Sequence, residues 1–438
     1  MDAAIDKTPT QPQWVPMAII GTLFFIFGFV TWLNGSLIPF LEIVCELNQM
    51  EAYLVATAFY IAYTVMALPM SMILQRTGYR KGMMLGLLII ALGALVFIPA
   101  ALSREYSVFL LAMFVMGSGL TILQTASNPY IVHIGPKESA AVRISIMGLL
   151  NKGAGIVAPV MFTALMLSGM DQFSEEKLAL MDAVARSQAL TELSHRLVEP
   201  YVWMAGVLVL LAFAIKFSPL PELDLGDDGK DKAPVKEVFQ YPHLVLGAVA
   251  LFLYVGVEVI AGDTIGMYGR QLGVENFGML TSYTMAFMVA GYVIGMALIP
   301  RFISQEKALQ ASALFGILFS LGIMFSSAGS TSIADATIAL FGVPTVPNSL
   351  FFLALLGLAN ALVWPAVWPL ALDGLGKHTS TGAALLIMGI SGGAIMPLLY
   401  GAVAESSGDS QWAYWVLLPG YVYLAFYAFK GHQLRRWK

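Results

Sequence analysis

The chain has 438 residues, 58% of them hydrophobic and 11% charged, with a net charge of -4 and a mean hydropathy of +0.77. A soluble domain carries about 25% charged residues, so this composition leaves too little polar surface for water and points to lipid as the solvent. The small net charge and the lack of a basic run interleaved with aromatics argue against a nucleic-acid partner.

Residues 1–14 hold acids and prolines but no basic run ahead of a short apolar core, so they read as a short soluble tail and not as a signal peptide. Apolar segments of membrane-spanning length then recur near residues 15–40, 52–75, 82–103, 107–132, 142–167, 200–219, 242–268, 277–300, 307–328, 349–372, 379–404 and 412–430. Between the fifth and sixth lies 171–199, helix-forming but too charged to span, which is expected to be an external helical excursion. Between the sixth and seventh lies 221–241, polar and of mixed charge, expected to be a cytoplasmic linker. The chain thus divides into a six-helix bundle at 1–220, the linker, and a second six-helix bundle at 242–438. With both termini in the cytoplasm, most basic loop residues fall inside, among them Arg76, Arg80, Lys81, Lys137, Lys230, Lys232, Arg301, Lys307, Arg435 and Arg436, and few fall outside, such as Arg104 and Arg270.

The two halves echo one another. The fifth segment has Gly155 and Pro159, and the eleventh has Gly393 and Pro397, each a G-x-x-x-P. Asn128-Pro129 in the fourth matches Trp364-Pro365 in the tenth at nearly the same offset. Cys45 is a lone cysteine, and the histidines show no zinc spacing. There is no Walker A loop, GxSxG elbow or nucleophile–base pair, so an ATP-driven pump and a membrane-embedded enzyme are disfavoured.

Ionisable side chains at membrane depth cost at least ~2.5 kcal/mol on insertion scales, and mark function by default. Three stand out: Lys152, Glu258 and Asp263. The two carboxylates are separated by roughly 140° on a regular helix, and Gly262 between them suggests a kink that turns both to one cavity. Lys152 is expected to pair with one acid, either as a structural lock or until a cation displaces it. Gln124 and Asn128 share a helix face, and their amides suit sugar hydroxyls. Asn34 and Asn151 are similar candidates. Asn360, Trp364 and Trp368 form a stripe on the tenth segment, where indole suits the C–H face of a sugar ring. Helix–helix hydrogen bonding and an interfacial belt are the plain alternatives for the amides and for Trp368.

The loops Leu74-Gln75-Arg76-Thr77-Gly78-Tyr79-Arg80-Lys81 and Arg301-Phe302-Ile303-Ser304-Gln305-Glu306-Lys307 resemble the paired loop signatures of the major facilitator superfamily, with Gln75 in place of the usual acid. The stretches Leu33-Asn34-Gly35-Ser36-Leu37-Ile38-Pro39, Gln124-Thr125-Ala126-Ser127-Asn128-Pro129-Tyr130 and Tyr254-Val255-Gly256 resemble the bacterial fucose/glucose/galactose permease family through nearly the whole chain. The resemblance implies an all-α fold of twelve transmembrane helices in two pseudo-symmetric halves, alternating access and a sugar substrate. Where the fucose-proton symporter of that family has two acids, this chain has Gly35 and Gln124, and its own acids are Glu258 and Asp263. That pattern is more similar to the sodium-coupled glucose or N-acetylglucosamine branch. The expectation is therefore sodium-coupled symport of a hexose or N-acetylglucosamine, with Asn34, Gln124, Asn128, Asn151, Lys152, Asn360 and Trp364 binding sugar and Asp263 and Glu258 binding sodium. Proton-coupled symport is the alternative, and a sugar-sensing receptor without transport is the reading from another class. No cofactor is expected, and the protein is expected to work as a monomer in a bacterial inner membrane.

Overall fold

The computed structural model describes residues 14–133, 140–166, 173, 177–178, 180–220, 235–299, 301–375 and 378–437. The first thirteen residues, most of the expected linker at 221–241 and parts of the 171–199 segment lie outside them.

Among the described residues twelve spans follow one another. Span 1 is Trp14–Trp32 with Asn34–Cys45, span 2 is Gln49–Val65 with Ala67–Thr77, span 3 is Tyr79–Ser103, span 4 is Tyr106–His133, span 5 is Ala140–Met166 and span 6 is Val198–Lys216. Span 7 is Pro242–Asp263 with Ile265–Gln271, span 8 is Leu280–Leu298, span 9 is Gln305–Phe325, span 10 is Asn348–Asn360 with Val363–Leu372, span 11 is Thr379–Met388 with Gly392–Ser407, and span 12 is Leu417–Phe429 after the short turns that begin at Ser410. Among the described residues eleven helical stretches are long and apolar enough to cross a membrane. Span 2 is the remaining one, bent at Met66.

Polar residues start several of these helices. Asn48 and Glu51 form a reciprocal capping box at span 2, and Ser304 accepts from the Lys307 amide at span 9. Asp182 caps the helix Ala183–His195, which leads through a turn at Arg196 into span 6.

Spans 1, 2, 7, 10 and 11 are each split into two helical pieces where the sequence shows one continuous apolar run, because hydropathy does not register an axial break. Pro39 in span 1 has no N–H to offer the Gly35 carbonyl, and the same holds for Pro397 and Gly393 in span 11 and for Pro159 and Gly155 in span 5. The repeated G-x-x-x-P thus marks a weakened turn whose glycine lets another helix approach. A Cβ at Gly155 would sit 2.7 Å from Trp32 Cδ1, and one at Gly393 would sit 3.0 Å from the Tyr60 ring.

One expected break is elsewhere. Span 7 runs unbroken from Pro242 to Asp263 and breaks at Thr264, after both carboxylates and not between them. Gly262 makes no kink. It makes room for the Trp32 ring, whose Cζ3 would lie 2.5 Å from a Cβ there.

The spans pack as two six-helix halves, with spans 3 and 4, 3 and 6, 1 and 5, and 2 and 4 paired in the first, and spans 8 and 10, 9 and 10, 9 and 12, and 7 and 11 paired in the second. The halves meet along spans 5 and 8 and spans 2 and 11. At one end the later segments of spans 1 and 7 also meet. There Arg270 pairs with Glu42, Ser36 donates to the Gly278 carbonyl and Gln49 donates to Ser410 Oγ at 3.3 Å. Toward the other end, Ala67–Thr77 packs mainly on spans 3 and 4 of its own half, and Thr379–Met388 mainly on spans 7 and 10 of its own half. The bundle is therefore drawn together at the Glu42 end.

Candidate transport site

Lys152, on span 5, points across the seam between the halves. Its Nζ donates to Glu258 Oε1 at 2.7 Å and lies 4.3 Å from the centroid of the Trp32 ring. Both charged side chains are about nine-tenths buried, at 10% and 9% exposed. Lys152 thus meets Glu258, the residue near the middle of Pro242–Gln271, and not Asp263.

Asp263 lies five residues further toward the Glu42 end. It is 0% exposed, and among the described residues neither carboxylate oxygen has a hydrogen-bond partner. An ionised carboxylate taken out of water without a partner is costly by several kcal/mol. Lys152 and Glu258 already neutralise one another, so Asp263 is left to be balanced by something from solution. Oxygen atoms gather on the adjoining backbone. Thr281 Oγ1 donates to the Gly262 carbonyl at 2.7 Å, Thr284 Oγ1 to the Ala261 carbonyl at 3.1 Å, and Thr264 Oγ1 meets the Tyr414 hydroxyl at 2.8 Å.

The amides fall on both sides of this charge cluster. In the second half, Asn360 Oδ1 accepts from the Tyr421 hydroxyl at 2.9 Å while its Nδ2, fully buried, has no partner among the described residues. Trp364 is half-buried with its ring centroid 6.3 Å from that of Tyr254, which stands one helical turn before Glu258. Trp368 is 5.5 Å from Trp364 and keeps an unpartnered Nε1. In the first half, Gln124 Nε2 donates to the Tyr63 hydroxyl at 2.7 Å, and Tyr63 stacks on Tyr60, whose own hydroxyl is unpartnered. Asn34 is 1% exposed, and its Nδ2 has no partner among the described residues. Buried donors without acceptors are the groups a polyhydroxylated solute can satisfy.

Two sequence candidates stand apart. Asn151 is turned toward span 1 and gives its amide to the Phe24 carbonyl at 3.3 Å, which is helix packing. The Asn128 side chain lies outside the described set, and so does that of Gln75.

Trp32, Glu42 and Arg270 were missed by the sequence reading. Trp32 directly precedes the Asn34 motif, which was a signal for it. Glu42 and Arg270 lay beyond the estimated span ends.

Helices in two bundles with charge and unsatisfied amides at the seam are the arrangement of a membrane transporter. Residues 20–380 match the family model of the Major Facilitator Superfamily, and the chain belongs to that family. A glucose/galactose transporter of Brucella abortus is 35% identical over 416 residues, covering 93% of this chain and 92% of the relative. An L-fucose-proton symporter of Haemophilus influenzae is 28% identical, covering 96% and 97%. The crystal structure of the major facilitator transporter FucP in its outward conformation superposes with a TM-score of 0.72 at 25% identity, covering 95% of this chain and 98% of that one. The protein is thus a multi-pass membrane transporter and not an enzyme.

Proposed function

We propose that this chain carries a hexose of the glucose or galactose type, or N-acetylglucosamine, across a bacterial cytoplasmic membrane, coupled to a cation that binds at Asp263. The observation that carries the coupling is that carboxylate, fully buried and unpartnered beside an ion pair that is already neutral. The sugar is supported by the names of the relatives and by the amides and indoles around the pair. Coupling follows if the state that takes the cation is also the state that binds sugar better.

A proton is the favoured cation. Relatives over nearly the full length are described as L-fucose-proton symporters, and a proton needs no ligand besides the carboxylate. Sodium, which the replaced acids in the sequence suggested, keeps one support in the oxygens of Ala261, Gly262 and Thr264 on the chain beside Asp263 and of Thr281 and Thr284 bonded to those carbonyls, since hard cations prefer oxygen ligands. The positive-inside distribution supports both termini in the cytoplasm and the Glu42 end outside, so the conformation described is the one shut toward the exterior. Uptake of labelled glucose and galactose into proteoliposomes, driven by a proton gradient or by a sodium gradient, tests this. Accumulation under the proton gradient alone is expected. Accumulation that needs sodium and ignores pH would replace the proton by sodium at the same residue.

A further inference from the structure

We infer that Trp32 is the positioning residue that keeps Lys152 on Glu258 and so leaves Asp263 open to a cation from solution, an inference that rests on the coupling role proposed above for Asp263. The indole is 2% exposed and wedged across the seam between the two halves. Its five-membered edge fills the slot left by Gly155 on span 5, and its six-membered edge fills the slot left by Gly262 on span 7, where a Cβ would lie 2.7 Å and 2.5 Å away. The Lys152 ammonium sits 4.3 Å from the ring centroid. One ring therefore touches the cation of the buried pair and also the residue immediately before Asp263.

The ammonium has two contacts that fix it, the Glu258 carboxylate and this π face. A cation over a desolvated indole is held more strongly than one at the surface, because no water competes for it. Lys152 carries a flexible four-carbon stem, and Asp263 is a second, uncompensated acceptor on the same helix as Glu258. Without the ring, nothing on the span 1 side keeps the ammonium on the first carboxylate. A Lys152 that settles on Asp263 occupies the place where the transported cation has to bind.

The position of Trp32 in its helix gives the ring a reason to move. It is the last residue of Trp14–Trp32, and the chain breaks at Leu33 before Asn34–Cys45 begins. That second segment carries Glu42 against Arg270 of the other half. Any change of angle at this break on opening of the Glu42 end would carry the ring with it, since the ring is the side chain next to the break.

The test uses the full-length protein in proteoliposomes with labelled glucose and galactose, and compares gradient-driven accumulation with gradient-free counterflow. Trp32→Leu is expected to lower accumulation by at least about tenfold while counterflow changes by about twofold or less. Trp32→Phe, which keeps a π face, is expected to restore accumulation to within about threefold of the parent. A residue that merely packs the seam would depress both modes together, and that parallel loss, or full accumulation in Trp32→Leu, would overturn the inference. If Trp32→Leu does not reach the membrane, Trp32→Met refills the same slot with a flexible side chain and is read in the same way. Failure of the underlying reading looks different, since Asp263→Asn would then keep full gradient-driven accumulation whatever Trp32→Leu does.

Discussion

The two halves are joined by charge in two places that differ in their relation to water. In the interior, Lys152 and Glu258 face one another at 10% and 9% exposure. At the Glu42 end, Arg270 and Glu42 are 20% and 15% exposed, and the neighbouring pair of Arg186 and Glu46 is 42% and 47% exposed. Exposed pairs contribute little and are screened by salt, whereas breaking a buried pair strands a charge in a medium that cannot solvate it. The interior pair therefore cannot open without a substitute partner, the partly buried Arg270–Glu42 pair opens at a lower cost, and the exposed Arg186–Glu46 pair at the lowest. A transporter needs both kinds of contact.

The largest expected effect comes from breaking the interior pair on one side. Glu258→Gln removes the carboxylate that Lys152 holds at 2.7 Å, at a cost of up to about 3–5 kcal/mol, less what Asp263 recovers by taking its place. Thermal unfolding of the purified protein in detergent measures it, and Lys152→Met should destabilise comparably. The double variant Lys152→Met/Glu258→Gln should recover most of the loss because neither charge remains. A double variant as unstable as the singles would mean that the helices, and not the charges, were disturbed.

Asp263→Asn sharpens the same comparison from the other side. It removes a charge that has no partner to strand, so the protein should fold with thermal stability at or above that of the parent and still lose gradient-driven accumulation. Full accumulation in this variant would remove Asp263 from the coupling scheme and leave Glu258 as the remaining candidate. Next in size is Gln124→Ala, measured by equilibrium sugar binding, where loss of an amide facing a buried hydroxyl costs roughly 1–3 kcal/mol. Unchanged affinity would assign Gln124 to its bond with Tyr63 alone.

Much of this was legible in the sequence, for identifiable reasons. Charged residues inside apolar runs are costly enough to be conspicuous, so Lys152, Glu258 and Asp263 stood out without any structure. The repeated Gly and Pro positions exposed the two halves because a proline missing its N–H leaves the same mark in each. Which carboxylate Lys152 holds was not legible, since it depends on how span 5 meets span 7 across the seam. The role of Trp32 was hidden for a similar cause. An aromatic residue inside an apolar run reads as ordinary core, and only the slots opened by Gly155 and Gly262 distinguish it. Gly262 was misread as a kink because helix periodicity cannot tell a glycine that bends the backbone from one that admits a ring.

The smallest expected effect lies at the exposed end, and it separates two contacts that look alike. Arg270 and Glu42 join opposite halves, so losing the pair should bias the bundle toward opening there. Arg186 and Glu46 belong to one half, and with Arg104, which donates to the Val44 carbonyl at 2.8 Å, they tie the helix Ala183–His195 to the end of span 1. That arrangement makes the helix a brace carried along with span 1, not a bar across the opening. A cysteine at Ser36, whose hydroxyl bonds the Gly278 carbonyl across the seam, reports opening in a Cys45→Ala background through its rate of labelling from that side. Glu42→Gln should raise the rate several-fold, as about 1 kcal/mol of lost inter-half attraction implies. Glu46→Gln should change it by less than about twofold, and raising the salt should shrink even that difference. If Glu46→Gln opened the end as readily as Glu42→Gln, the helix Ala183–His195 would be part of the gate itself, and the contrast between bracing and bridging contacts would have to be abandoned.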